Sequence, residues 1–310
     1  MSGAPSVAVN VVTFESEHVI GECLRRLRAA ADASDVSCSA TVVDNASTDA
    51  TVDRALEAWP ETRVLRQDTN LGYIAAANRG VEGATSDWLL FLNPDAFVGP
   101  DLFTFLEAVD RHPEVASFSP LFTDVRGVPV RTVYRWPTVG KELARLSGAL
   151  SVLGRMGVVR SDRLPARSTT TFPPPVGDGL RVDYPAGACW FIRREAWERV
   201  GAFDEGFYVY HEDMEWCLRA TRLGLATFVF PGCRVEHAGG QSAHVPLPRS
   251  VVWHYAGLLH FYEVHGSPAK RAVLRAAMAA SFGARTLAAG ARGRDTGPYR
   301  EVLRLATRGS

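Results

Sequence analysis

From Val7 to Pro120 the chain alternates short apolar runs with longer stretches of helical spacing, and no other feature restricts its fold as strongly. Val7 to Val12, Thr41 to Val43, Arg63 to Leu65, Trp88 to Leu92 and Ala116 to Phe118 are short and apolar and read as strands. Val19 to Ala31, Asp49 to Ala58, Tyr73 to Gly83 and Asp101 to Arg111 place apolar residues three and four apart and read as helices. A chain that repeats strand, helix, strand must cross back over its sheet each time, which yields parallel strands and right-handed crossovers. The expected class is α/β, with a Rossmann-like, doubly wound, mostly parallel sheet. Ligands of such sheets bind beyond the carboxyl ends of the strands. That rule selects Thr13 to Ser16, Asp44 to Ser47, Asp68 to Gly72 and Asn93 to Asp95 as the rim of one cleft.

Beyond Pro120 the pattern changes. Arg126 to Arg181 is rich in glycine, proline and serine and contains Thr169-Thr170-Thr171-Phe172-Pro173-Pro174-Pro175. A packed element does not tolerate such a proline run, so this stretch is expected to be an excursion over the cleft, either a lid or a surface linker. Tyr184 to Arg193 reads as a strand entered through Pro185-Ala186-Gly187. A helix from Glu195 to Val200, a turn Gly201-Ala202-Phe203-Asp204 and a helix from Glu212 to Leu223 stopped by Gly224 come next. Ala226 to Phe230 and Arg234 to His237 read as two short strands, and helical patterns run from Pro248 to the end.

Composition narrows the function classes. The 310 residues are 46% hydrophobic, enough for a substantial core, and a formal charge of +0 supplies no field for nucleic acid. Cys23, Cys38, Cys189, Cys217 and Cys233 are odd in number and scattered, which fits a reducing compartment. The start of the chain carries no basic and apolar leader, and no run approaches the ~18 apolar residues of a spanning helix, so a cytoplasmic protein is expected. Lys270 to Arg308 strings arginines among alanine and leucine, which is either a solvated helical face or a peripheral contact with the inner face of an anionic membrane. No Walker loop, Gly-x-Ser-x-Gly elbow or His-Glu-x-x-His pair occurs.

Five places carry candidate chemistry. Asp44 and Asn45 close the second strand, beside Thr13 and Glu15, where a carboxylate can accept hydrogen bonds from a base or ribose; Thr48 or Asp49 is a helix cap. Asn70, Gly72 and Asn78 bracket a helix of small residues whose start offers unpaired N–H groups to a phosphate, or is ordinary turn chemistry. Asn93-Pro94-Asp95 ends an apolar run; either proline stops the ladder and puts Asp95 where a divalent cation can be shared with a diphosphate, or the triplet is a common turn. His237, at the end of a late strand, is a second ligand for such an ion if that strand lies beside the sheet, and otherwise a structural histidine. Glu212, Asp213 and Glu215 follow His211 at the head of a helix, where the dipole favours acids by about 0.3–1 kcal/mol each. Three acids in four positions exceed what capping requires, so Asp213 is the expected general base, with Glu212 or Glu215 binding the acceptor or orienting neighbours. Trp190 and Arg135-Trp136-Pro137 are candidate sugar or acceptor contacts, or buried aromatics.

The order of these pieces, Val11-Val12-Thr13-Phe14-Glu15-Ser16, Val42 to Asp49, Asn70-Leu71-Gly72, Asn93-Pro94-Asp95, Gly201 to Asp204, His211-Glu212-Asp213 and His237, resembles the inverting glycosyltransferases of family 2. The resemblance spans about Val7 to Ser242 and looks most like bacterial rhamnosyltransferases of cell-wall or surface polysaccharide. It implies a GT-A fold, a nucleotide-diphosphate-sugar donor (dTDP- or UDP-), a saccharide or lipid-linked acceptor, and Mg²⁺ or Mn²⁺. Carried over residue by residue, Asp44 matches the nucleoside-binding acid, Asp95 the last acid of an Asp-x-Asp-like metal motif, Asp213 the base and His237 a late metal ligand. Asn93 departs from versions with aspartate at both ends and leaves Asp95 as the main carboxylate for the ion. The domain reading is a GT-A domain over residues 1–245, with a nucleotide-binding half to about 120 and an acceptor half after it, and a C-terminal helical extension over 246–310. Two rivals are a nucleotidyltransferase, whose glycine-rich basic loop is replaced here by Thr13-Phe14-Glu15-Ser16, and a non-catalytic relative, which would lack the carboxylates that this chain retains.

Overall fold

The computed structural model describes residues 4–148, 168–238 and 247–308. Its strands are β1 (Ser6–Thr13), β2 (Ser37–Asp44), β3 (Arg63–Arg66), β4 (Trp88–Leu92), β5 (Ala96–Val98), β6 (Val115–Thr123), β7 (Val133–Tyr134), β8 (Ser168–Thr171), β9 (Asp178–Val182), β10 (Tyr184–Pro185), β11 (Cys189–Arg193) and β12 (Ala226–His237). The helices are α1 (Ile20–Asp32), α2 (Thr51–Ala58), α3 (Tyr73–Gly80), α4 (Leu102–Asp110), α5 (Val139–Leu146), α6 (Arg194–Val200), α7 (Glu212–Arg222), α8 (Leu247–His265), α9 (Pro268–Gly290) and α10 (Gly297–Thr307). The chain divides into two compact units: Met1–Arg135 with Pro165–Glu205 and Glu212–His244, and Trp136–Leu164 with Gly206–His211 and Val245–Ser310.

The first unit is built on a sheet in the order β3-β2-β1-β4-β11-β6-β12-β9-β8, with β5 pairing β12. Its N-terminal half, β3-β2-β1-β4, is wholly parallel, as the alternation of strand and helix requires. The other half is mixed, because β11 is inserted antiparallel between β4 and β6. All five residues of β4 are buried, and their alternation divides the core. Trp88, Leu90 and Leu92, with Phe191 opposite Leu90, join Leu24 and Leu27 of α1 and Phe103 and Leu106 of α4 in one cluster. Phe91 and its partner Trp190 point the other way, against Trp197, Phe203 and Trp216. Burying each such side chain contributes about 1.5–3 kcal/mol, so the central strands are where the fold is anchored. One close approach depends on glycine: Asn10 of β1 donates from Nδ2 to the Ala77 carbonyl oxygen at 2.7 Å, and a Cβ on Gly80 would lie 2.1 Å from its Oδ1.

Two expectations are corrected here. The proline run is not a loose excursion: β8 and β9 pair antiparallel around it, β9 joins β12, and Phe172 is 4% exposed against Phe228 and Phe230. Prolines 173–175 occupy the hairpin turn, where no ladder N–H is needed, so the packed residues lie on either side of them. Residues 149–167, which belong to the same expected excursion, lie outside the described residues. The two late strands are one, β12, with a register shift between Phe230 and Arg234 that bends it without ending it.

The second unit is helical. Leu146 of α5, Tyr255, Leu258 and Tyr262 of α8, Leu274, Met278 and Phe282 of α9, and Val302 and Ala306 of α10 are buried in it. Arg275 joins three helices by donating to Glu263 Oε1 at 2.6 Å and to the Leu305 and Arg308 carbonyl oxygens at 3.0 and 2.6 Å. No helix among the described residues is long and apolar enough to cross a membrane.

Candidate active site

The parallel register sets Thr13 opposite Asp44 at the carboxyl ends of β1 and β2. Thr13 Oγ1 donates to Asp44 Oδ1 at 3.3 Å and the Ser47 N–H donates to Oδ2 at 3.2 Å, so this carboxylate, 2% exposed, is fixed from both sides. Glu15 accepts the Thr48 N–H and hydroxyl at 2.9 and 3.0 Å, while its own N–H donates to Ser47 Oγ at 3.0 Å. The expected cap is displaced by one residue: Ala50 is the N-cap of α2 and has no side-chain cap bond, while Asp49 Oδ1 before it accepts the Thr51 N–H at 3.0 Å. The Asn45 N–H donates to the Thr13 carbonyl oxygen at 2.9 Å, and its Nδ2 donates to that of Gly72 at 3.0 Å. Asn70 Oδ1 accepts the Gly72 N–H at 2.9 Å, and Gly72, at φ 86°, turns the chain into α3 in a conformation that other residues rarely adopt. Three loops of the rim are thereby tied into one frame.

At the end of β4 the Asn93 N–H donates to the Ala188 carbonyl oxygen at 2.8 Å, and the Ala238 N–H donates to that of Asp95 at 3.1 Å. β12 does lie beside this turn through β5, with His237 opposite Ala96. His237 Nε2 is 3.4 Å from Asp95 Oδ1; the imidazole is 22% exposed and the carboxylate fully buried. No group of three or more His, Cys, Asp or Glu fit to hold a metal ion occurs among the described residues. One carboxylate and one imidazole suit a hard cation that takes its remaining ligands from a diphosphate and water, as Mg²⁺ commonly does. By that measure the donor set fits a substrate-assisted ion and not a closed structural one.

Glu212 and Asp213 open α7, half-buried. The Gly187 N–H donates to Asp213, and a methyl group on Gly187 would touch Glu212 Oε1 at 3.6 Å and Asp213 Oδ2 at 3.8 Å. Burial pushes Asp213 up to about 7, against the opposing hydrogen bonds of the Met214 and Gly187 N–H groups. Glu212 rises further, to about 8, through burial and then the neighbouring Asp213 charge, and its Oε2 has no hydrogen-bond partner. The same two carboxylates, after burial itself, hold the Tyr73 phenol well above its ordinary value. Gly187 and Ala188 thus link Asp213 to the Asn93-Pro94-Asp95 turn, and Tyr73, next to Gly72, links it to the Asp44 frame.

Three expected contacts are corrected. Glu215 is 1% exposed and bound to Arg219, with Nε to Oε1 at 2.8 Å; Arg219 also donates to the Ala202 carbonyl oxygen at 2.7 Å, so this pair pins the turn after α6. Asn78 serves the same turn, accepting the Phe203 N–H and donating to the Phe203 carbonyl oxygen, both at 3.0 Å. Trp190 is 1% exposed and stacked on Phe203 with centroids 5.8 Å apart, a core residue out of reach of a sugar. His211, at the head of the acid run, belongs to the second unit, where Nε2 donates to the His254 carbonyl oxygen at 3.0 Å and burial lowers its pKa to about 4.

Sequence reasoning missed Gly187 and Tyr73, which bear no motif, and also the backbone strain. All four non-glycine residues with positive φ among the described residues, Glu15, Ala46, Tyr210 and His211, lie within two positions of Thr13, Asp44 or Glu212. Such conformations cost about 1–3 kcal/mol each and persist where their surroundings enforce them, commonly at functional sites.

Comparison with known proteins bears on the family and the fold. The N-acetylglucosaminyl-diphospho-decaprenol L-rhamnosyltransferase of Mycobacterium tuberculosis is 29% identical over 218 residues, 64% of this chain and 66% of that protein. The chain thus spans just under two thirds of that relative's length. Rhamnosyltransferase WbbL of Escherichia coli is 25% identical over 173 residues, 55% of this chain and 60% of that protein. Among solved structures, S. aureus TarS 1-349 has a TM-score of 0.52 at 16% identity, covering 96% of this chain and 90% of that one. A Pyrobaculum calidifontis mannosyltransferase in complex with GDP-Man and Mn²⁺ has a TM-score of 0.52 at 20% identity, covering 97% and 84%. The fold is GT-A. The pattern of the family described as "Glycosyl transferase family 2" matches residues 8–163, and the chain belongs to that family.

Proposed function

We propose that this glycosyltransferase moves rhamnose, or a sugar like it, from a dTDP- or UDP-linked donor to a hydroxyl of a lipid-linked saccharide, with inversion at the anomeric carbon. The sugar and acceptor are suggested by the names of the two rhamnosyltransferases it resembles. The reaction is supported by one observation above all: a half-buried Asp213, raised to about 7 and held by the Gly187 N–H beside the Asp95 turn.

A base is most effective when its pKa lies near the working pH, and burial gives Asp213 that property. Asp213 takes the proton of the acceptor hydroxyl; the oxygen forms its bond to the anomeric carbon as the bond to the diphosphate breaks on the opposite face. The electron pair leaves with the nucleoside diphosphate. Asp44 and Asn45 orient the nucleoside, and the N–H groups at the start of α3 face the diphosphate. Asp95 and His237 would hold Mg²⁺ or Mn²⁺, whose charge offsets that of the leaving group. The work is done on the cytoplasmic side of a membrane, where the lipid-linked acceptor presents its sugar.

A thermal-unfolding screen of nucleotide sugars tests the donor, because a ligand at a hundred times its Kd adds about 2.7 kcal/mol of stability. A rise with a dTDP- or UDP-sugar that depends on Mg²⁺ or Mn²⁺ is expected. No response to any nucleotide sugar would sink the reading.

A further inference from the structure

From Val264 to Arg294 the chain has no acidic residue and six basic ones, so that in a molecule of zero formal charge the remainder is acidic by six. Most of this stretch is α9, a helix apolar on two opposite faces. Leu274, Met278 and Phe282 line the buried one. On the outward one Val273 is 47% exposed and Leu287 76% exposed, with Ala276, Ala280 and Ala284 exposed between them. Fourteen residues separate Val273 from Leu287, which makes the strip about 21 Å long. Lys270 is exposed on its flank, Arg285 is exposed farther round the helix with its guanidinium 5.0 Å from the Phe282 ring centroid, and Arg292 and Arg294 are exposed on the turn beyond it beside a single exposed acid, Asp295. Beside the strip, a groove of about 740 Å³ lies between Leu143, Ala144 and Leu146 of α5 and Ala277, Ala280 and Ala284 of α9.

We infer that the outward face of α9 docks on an anionic phospholipid bilayer, with Val273 and Leu287 entering the acyl boundary and Lys270, Arg285, Arg292 and Arg294 meeting the headgroups. A helix with apolar residues on both faces needs a second cover. Charge selects it: a second copy packed face to face would set identical cations against each other, whereas acidic lipid complements them. The groove extends the surface available to acyl chains. This inference goes beyond sugar transfer and stands without it, since membrane binding can be read with no donor or acceptor present.

The test is flotation of the full chain with vesicles of phosphatidylcholine alone or mixed with phosphatidylglycerol. Binding to the mixed vesicles only, weakening as salt rises, is expected. Lys270→Ala with Arg285→Ala should lower vesicle affinity roughly thirtyfold, about fivefold per cation. Val273→Asp with Leu287→Asp should abolish flotation while leaving the thermal midpoint unchanged, because both side chains already face solvent. Equal binding to both vesicle types, no flotation at all, or full binding by the aspartate variant would overturn the inference. So would light scattering that shows a dimer dissociated by those two aspartates, which would assign the face to a second copy.

Discussion

At the residue scale the site depends on two neighbouring carboxylates that burial keeps from ionising as readily as they would in water. Asp213 and Glu212 titrate as a pair, both raised, and the base is competent only once its proton is lost. The sign follows directly: transfer is fastest above the raised value, and kcat/KM should fall about tenfold per pH unit as pH drops below about 7. Glu212, raised further by burial and the Asp213 charge, is still neutral when Asp213 loses its proton, so Glu212→Gln should leave the break in the profile near 7. A profile flat from pH 8 to 5 would contradict this assignment. At the other end of the Gly187-Ala188 step, Asp95→Ala should abolish the gain in donor affinity on adding Mg²⁺ or Mn²⁺, measured by calorimetry with and without EDTA. Equal affinity in all four conditions would remove Asp95 from donor binding. Asp44, Asp95 and Asp213 stand out in the sequence because they end a strand, sit in the turn after one and open a helix, where packing alone gives no reason for an acid. The roles of Asn78 and Trp190 were not legible, because their partners Phe203 and Trp216 approach only after the turn at 201–204 has folded back, and that of Glu215 was not because its partner Arg219, one helical turn on, competes with a role in the acid run.

At the element scale the alternation of strand and helix predicts β1 to β4 and the helices between them closely, since each crossover leaves a local period that needs no distant partner. The rest of the sheet depends on long-range pairing. β11 is antiparallel to both neighbours, and β9 is recruited by β12 across more than forty residues of chain, so neither direction nor place could be read from spacing. The proline run misled for the same reason: it marks a turn, and the neighbouring Phe172 decides whether that turn is packed. Phe172→Ala should lower stability by about 3–5 kcal/mol, as for other buried aromatics, measured by denaturant unfolding. A loss under about 0.5 kcal/mol would return the segment to the surface.

At the scale of the whole molecule, strand order does what sequence proximity cannot. Because β1 lies between β2 and β4, the turns bearing Asp44 and Asp95 follow strands two places apart in one sheet, and the Gly187 N–H just before β11 ties Asp213 of the same unit to them. The paths between them run through Asn45, Gly72 and Tyr73 on one side and Gly187, Ala188 and Asn93 on the other. The proposal of transfer, and not binding alone, rests on that arrangement. It is tested most directly by the turnover of Asp213→Asn at saturating donor, with donor affinity measured on the same protein. Turnover reduced about 10²–10⁴-fold with the donor Kd unchanged is the predicted result. Turnover near that of the unmodified chain would contradict it.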